Sequence, residues 1–341
     1  MVAAALAIAG CGPAGTPLSS ADALTYRQRG FECVKRGIQY PYLPSVRAQA
    51  VEAMQRAAPA DGMPWIRTAL ADEHPAVRFA ACVAAGTLKD TLAREGVTRC
   101  LGDDNRSVRV GALYALHRLG DTRRSGELPD YLLNHSDAAV RRNAALVLGR
   151  MGETGAIALL ARAMRDADEG VQLQALESMA LLGGREARQQ LALYASSSAG
   201  DKEVFALRAL AETRDERFKD TYRYKLSQAA FLETKLAAAI GLGLLGQRDG
   251  YNLAMSALEF NSPKTDASDD PPENQVRRVR QLATFALGAI GDAGALPALD
   301  RLIQTYDDPS VQLAAGKAML EIVVKRTGGW RAVATSDAPR R

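Results

Sequence analysis

The chain has 341 residues, a formal net charge of +4, 47% hydrophobic residues, 24% charged residues and only 6% aromatics. So much apolar surface excludes intrinsic disorder, and so small a charge surplus does not mark a nucleic-acid binder. Glycine is not periodic at three, which excludes collagen, and no apolar run is long enough to span a bilayer as a mature helix. The apolar share is carried by Ala and Leu, a mixture that suits closely stacked helices better than strands.

In chain order, the first segment is the apolar stretch Met1 to Gly10, which runs into Ile8-Ala9-Gly10-Cys11. That tetrapeptide resembles the lipobox of bacterial lipoproteins, with small residues at the two positions before the cut. The resemblance implies a signal peptide over 1–10, cleavage before Cys11, and a lipid on Cys11. It also implies a periplasmic protein anchored to a bacterial membrane, the outer more than the inner. The departure is an n-region without Lys or Arg, which a start codon assigned too far downstream would explain. Residues 11–20, with Gly12-Pro13-Ala14-Gly15-Thr16-Pro17, read as a flexible tether.

From there the chain repeats. The segment Val140 to Gly152 is echoed at starts Val46, Val77, Val108, Val171, Lys202, Thr234, Val279 and Val311. Successive starts are 31, 31, 32, 31, 31, 32, 45 and 32 residues apart. Apolar residues fall at positions 1, 5, 6, 9 and 12 of each copy, the stripe of an amphipathic helix. Position 10 is often Gly (Gly86, Gly149, Gly243, Gly288), where a neighbouring helix can approach closely. Position 13 is Gly in five copies, as expected just past a helix C-terminus. Polar turns such as His135-Ser136-Asp137 precede the copies and supply N-caps, and a shorter apolar helix lies between them.

The pattern Asp-x-x-Val-Arg-x-x-Ala-Ala-x-x-Leu-Gly resembles the short HEAT-like repeats named after phycobilisome lyases. It predicts an all-α solenoid of about nine helix pairs over 21–323, with one inserted loop at 261–275 and a polar tail at 324–341. Asp22 to Tyr42 is expected to form the first helix and an N-terminal cap.

Position 2 carries Arg47, Arg78, Arg109, Arg141 and Arg280, with Lys235 as a substitute. These are expected to form a structural ladder, each Arg pairing with the acidic turn before it (Asp72, Asp104, Asp137). In related solenoids the second helix of each repeat lines the concave side, so positions 3, 7 and 11 should face a groove. Phe79, Val83, Val110, Tyr114, Leu236, Ile240, Leu244 and Phe285 occupy them and are candidate partner-binding residues, or core if the face is assigned one position off.

Catalytic and metal motifs are missing. None of the three histidines, His74, His117 and His135, belongs to the His-Glu pairs with which the HEAT-repeat hydroxylases hold their di-iron centre. HExxH, GxSxG and a glycine-rich phosphate loop are also lacking. Asp266, Ser268 and Asp270 imitate the start of a calcium loop, but Pro271 replaces its Gly and Arg277 its bidentate Glu. The HEAT-like DNA glycosylases need a basic concave face with aromatics, which this sequence lacks. Cys82 and Cys100 read either as buried free thiols or as a bridge between successive helices. The sequence therefore leads to the expectation of a non-enzymatic adaptor that binds another protein, uses no cofactor or metal, binds no nucleic acid and is lipid-anchored through Cys11. The alternative is an enzyme or enzyme accessory of the lyase-like kind, acting on a chromophore or a protein.

Overall fold

A computed structural model describes residues 16–197, 200–261 and 270–328. The signal peptide, the first half of the tether with Cys11, Asp266 and Ser268 of the insertion, and the tail beyond 328 lie outside them. Among the described residues the fold is helical throughout, without strands. The outer helices are α1 (Ser20–Ile38), α3 (Pro59–Ala69), α5 (Arg94–Cys100), α7 (Leu128–Leu133), α9 (Ile157–Ala163), α11 (Arg185–Ser197), α13 (Lys219–Gln228), α15 (Tyr251–Ala257) and α17 (Leu296–Thr305). The inner helices are α2 (Pro44–Ala57), α4 (Pro75–Leu88), α6 (Arg106–Arg118), α8 (Ala138–Met151), α10 (Glu169–Leu181), α12 (Asp201–Glu212), α14 (Leu232–Leu244), α16 (Pro272–Ile290) and α18 (Pro309–Thr327). Each inner helix carries one copy of the repeat.

The turn chemistry works as the sequence predicts. Asn105, Asp137 and Asp308 accept hydrogen bonds from the first turns of α6, α8 and α18, at 2.9, 2.8 and 2.9 Å. Position 13 takes the left-handed conformation in the five glycine copies: Gly120, Gly152, Gly183, Gly246 and Gly291 have φ between 75° and 91°. Two copies place a side chain there instead, Lys89 at φ 53° and Arg214 at φ 50°. Lys89→Gly should therefore raise stability by about 0.5–1 kcal/mol, the relief of the left-handed penalty less the added entropy of the unfolded chain. Urea unfolding checks this; a destabilised variant would show that the Lys89 side chain holds something the turn needs. The insertion is shorter than its sequence suggests, because Pro272 to Gln275 already belong to α16.

Core residues lie between the outer and inner layers and between successive inner helices. Position-10 glycines mark the closest approaches, Gly86 on Ala115, Gly149 on Ser178 and Gly288 on Ala318. The array does not stay open. α18 packs along both α1 and α2, so the first helix is a seam and not a free cap. Leu313 and Leu320 of α18 share a core with Val34 and Ile38 of α1 and with Val46 and Ala50 of α2. Gly30 lies against Gly316, and the Cys33 thiol donates to the Gln312 carbonyl at 3.2 Å. The nine inner helices thus close into a ring.

The arginine ladder spans repeats, but its acidic partner lies one turn further on than expected. Arg47 grips Asp72 (2.9 and 2.9 Å), Arg78 grips Asp103 (2.7 and 2.9 Å) and Arg141 grips Asp166 (2.7 and 2.8 Å). The preceding turn instead offers its carbonyls, those of Tyr40 and Pro41, Asp72 and Glu73, and His135 and Ser136. An arginine at position 2 points back across its own N-terminus, where only backbone oxygens lie within reach. Its fork is then completed by the next repeat. Arg109 bonds the Asp103 carbonyl, and Arg280 bonds the Phe260 carbonyl and stacks on Tyr306. Arg78→Ala should cost about 2–3 kcal/mol, because Asp103 is left half-buried without its partner, whereas Arg109→Ala should cost less. Equal losses in urea unfolding would contradict inter-repeat bracing.

Candidate functional site

The inner helices enclose a cavity of about 840 Å³ at the centre of the ring, lined from α2, α8, α10, α12, α14, α16 and α18. Its apolar wall is Phe205, Ile240, Leu244, Phe285 and Leu313. Set into that wall are Arg56, Glu177, Arg208, Glu212, Lys317 and Glu321. The repeat explains the convergence. Position 7 supplies Glu177, Arg208, Ile240, Phe285 and Lys317, and position 11 supplies Arg56, Glu212, Leu244 and Glu321. A residue at one repeat position points the same way in every copy, and in a ring that direction is inward.

The electrostatics of the lumen are unusual for a solvent-reached surface. Arg56 of α2 and Glu212 of α12, 156 residues apart, form a two-pronged pair at 3.1 and 3.2 Å that crosses the interior. Their side chains remain 46% and 39% exposed, yet the ring wall surrounds them, so water solvates them poorly. Burial opposes the charge on both; each carries its partner through, raising the Arg56 pKa and lowering that of Glu212. Burial pushes the Glu177 carboxyl up and the Arg208 guanidinium down. Lys317 pairs with Glu321 at 3.1 Å, and its ammonium lies 5.0 Å from the centre of the Phe285 ring. A shallower cavity of about 450 Å³ between α13, α14 and α15 has Arg248, but that side chain is already bound to Asp292 at 2.7 Å.

The eight candidate groove residues separate into two groups. Ile240, Leu244 and Phe285 line the central cavity. Val83, Val110, Tyr114 and Leu236 are between 0% and 3% exposed and belong to the core. Phe79 is half-buried against Gly111. The divergence arises because α4 and α6 lie so close that their position-7 side chains fill the space between helices. Missed altogether were the charged lumen residues. Charge at a helix position reads as a solvated face, and only the ring turns that face into an interior. Cys33, Cys82 and Cys100 are buried free thiols, so the open question of a bridge resolves to none. The Cys100 thiol donates to the Leu70 carbonyl at 3.7 Å, and the neighbouring Cys100 together with burial holds the Cys82 thiol well above its usual range. The described residues contain no metal-binding cluster and no helix long and apolar enough to cross a membrane.

Residues 42–123 and 127–211 match the HEAT repeats family, and residues 279–308 match the PBS lyase HEAT-like repeat. The chain is a HEAT-repeat protein. No curated protein matches it. Among solved structures, the complex of CpcE and CpcF of phycocyanin lyase from Nostoc sp. PCC7120 aligns at 19% identity, covering 83% of this chain and 98% of that one, with a TM-score of 0.41. Human deoxyhypusine hydroxylase in complex with glycerol aligns at 16% identity, covering 80% and 99%, with a TM-score of 0.36. The lyase-type match at 279–308 overturns the expectation of a non-enzymatic adaptor. That expectation rested on the lack of a local catalytic motif, whereas a ring of repeats assembles its polar groups from separate helices.

Proposed function

We propose that this HEAT-repeat protein is an enzyme or enzyme accessory of the lyase-like kind, which holds a chromophore or a protein segment in its central cavity. The observation that carries the reading is the lumen itself, where aromatic and aliphatic side chains and opposed charges from seven inner helices converge. The segment matched to the lyase-type repeat supplies Phe285, Gly288 and Ala289 of that wall. Glu177, with its carboxyl raised by burial, is suited to give up and regain a proton in such a site. A linear tetrapyrrole titrated into the full chain should give a saturable absorbance change that Phe205→Ala and Phe285→Ala diminish. The protein-segment arm is tested by a photo-crosslinker at position 285, with position 92 on the exposed rim as control. A flat titration together with crosslinks from position 92 alone would end the reading.

The N-terminus carries a separate proposal. Cys11 is lipidated, and the protein sits in the periplasm on a bacterial membrane, the outer more than the inner. The lipobox-like Ile8-Ala9-Gly10-Cys11 and the tether behind it support this. Mass spectrometry of the N-terminal peptide should find a diacylglyceryl group on Cys11; an unmodified Met1 or Cys11 refutes the anchor.

A further inference from the structure

Three cations of the lumen are already committed. Arg56 is bound to Glu212, Lys317 to Glu321, and Lys325 to the Ala289 carbonyl. Arg150, Arg208 and Arg214 make no such bond among the described residues, and of these three Arg208 lies over an aromatic ring. It stands near the middle of α12 and, among the described residues, makes neither a hydrogen bond nor an ion pair; its guanidinium carbon lies 5.7 Å from the centre of the Phe285 ring. The two acids nearest in charge, Glu177 and Glu212, are engaged by Gln174 and Arg56. The Arg208 side chain is exposed to the lumen, so its donors are free to take a ligand, and a fork of parallel N–H donors fits a carboxylate in two-pronged geometry. The surfaces beside it, Phe205, Ile240, Leu244 and Phe285, are flat or aliphatic and carry no acceptor of their own.

We infer that Arg208 is the anchor for a carboxylate borne by a flat, largely apolar small molecule, whose body lies along Phe285 and Phe205. The inference rests on the reading that the central cavity holds the substrate, and it adds the chemical class of that substrate. Arg208 reads the charge, and Phe285 backs both the guanidinium and the ligand body.

The test uses two fluorescent probes on the full chain, pyrenebutyrate and its uncharged analogue pyrenebutanol. Wild type should bind the carboxylate probe about tenfold or more tightly than the alcohol, as a charge-assisted hydrogen-bonded pair requires. R208Q should erase that preference while leaving pyrenebutanol binding unchanged, and F285A should weaken both probes. R208K keeps the charge without the fork and should retain only part of the preference, so a folding failure of R208Q does not decide the matter. If R208Q and R208K both keep the full preference, Arg208 is not the anchor, although the cavity still binds. If neither probe binds wild type, the cavity reading and the carboxylate site fall together.

Discussion

Gly316→Leu is expected to part the ring at the seam between α1 and α18. A β-carbon at position 316 would fall 2.9 Å from the Cys33 β-carbon and 3.1 Å from the Gly30 carbonyl oxygen. Both neighbours sit on the facing helix, and a β-carbon added at Gly30 would likewise fall 3.0 Å from the Gly316 carbonyl oxygen. Overpacking of this kind costs about 1–3 kcal/mol where the helices stay together. If α1 lifts away, burial of Val34 and Ile38 is lost as well, at about 1.5–3 kcal/mol each. Two measurements follow the opening. The radius of gyration from small-angle scattering should rise. Cys33, whose thiol burial now holds at a pKa of about 11, should become one additional site for a thiol reagent. Unchanged scattering and unchanged labelling would show that the ring does not depend on this seam. Gly316→Ala, with one carbon in place of four, should show a smaller version of both effects.

Tyr114→Ala is expected to destabilise the chain by about 3–5 kcal/mol, the range for removing a buried aromatic side chain from a core. Tyr114 is 1% exposed, packs over Gly86, and shares a 3.0 Å hydrogen bond with the Thr87 hydroxyl. Truncation would leave a cavity between α4 and α6 and remove the partner of Thr87. Phe79→Ala should cost less, because Phe79 is only half-buried. As the two side chains serve the same α4–α6 packing, the losses in the double variant need not add. Thermal and urea unfolding decide the outcome. A double variant as stable as wild type, with binding lost, would restore these residues to an open groove and contradict their place in the core.

Much of the fold was legible because the chain repeats. Val46, Val77, Val108 and their equivalents set the helix starts, Asn105, Asp137 and Asp308 set the caps, and Gly120 to Gly291 set the ends. Each is a local rule that acts on a few neighbouring residues, so the sequence contains it. The arginine ladder was half legible. Arg47, Arg78 and Arg141 are evident from the repeat, but their acidic partners are expected in the preceding turn (Asp72, Asp104, Asp137), whereas Asp72, Asp103 and Asp166 of the following turn take that place. Adjacency in sequence could not say which side of a repeat the guanidinium fork would reach. The cavity was the least legible feature. Phe285, Ile240 and Leu244 were found as apolar residues out of place, whereas Arg208, Glu177, Glu212 and Arg56 looked like ordinary surface charge.

The sequence alone therefore determined the helices, their pairing and their order, because period, caps and terminating glycines are written locally in every copy. Tertiary structure decided whether those pairs would run open or close. Closure depends on Gly30, Cys33 and Gly316 meeting across nearly the whole length of the chain, and no periodic signal encodes that meeting. Once the ring closes, the same repeat positions that would face solvent in an open array face one another. Composition had excluded disorder and spanning helices, and its near-balance of charge looked like a feature of the surface. The structure shows that part of that balance, Arg56 with Glu212 and Lys317 with Glu321, lies in the lumen.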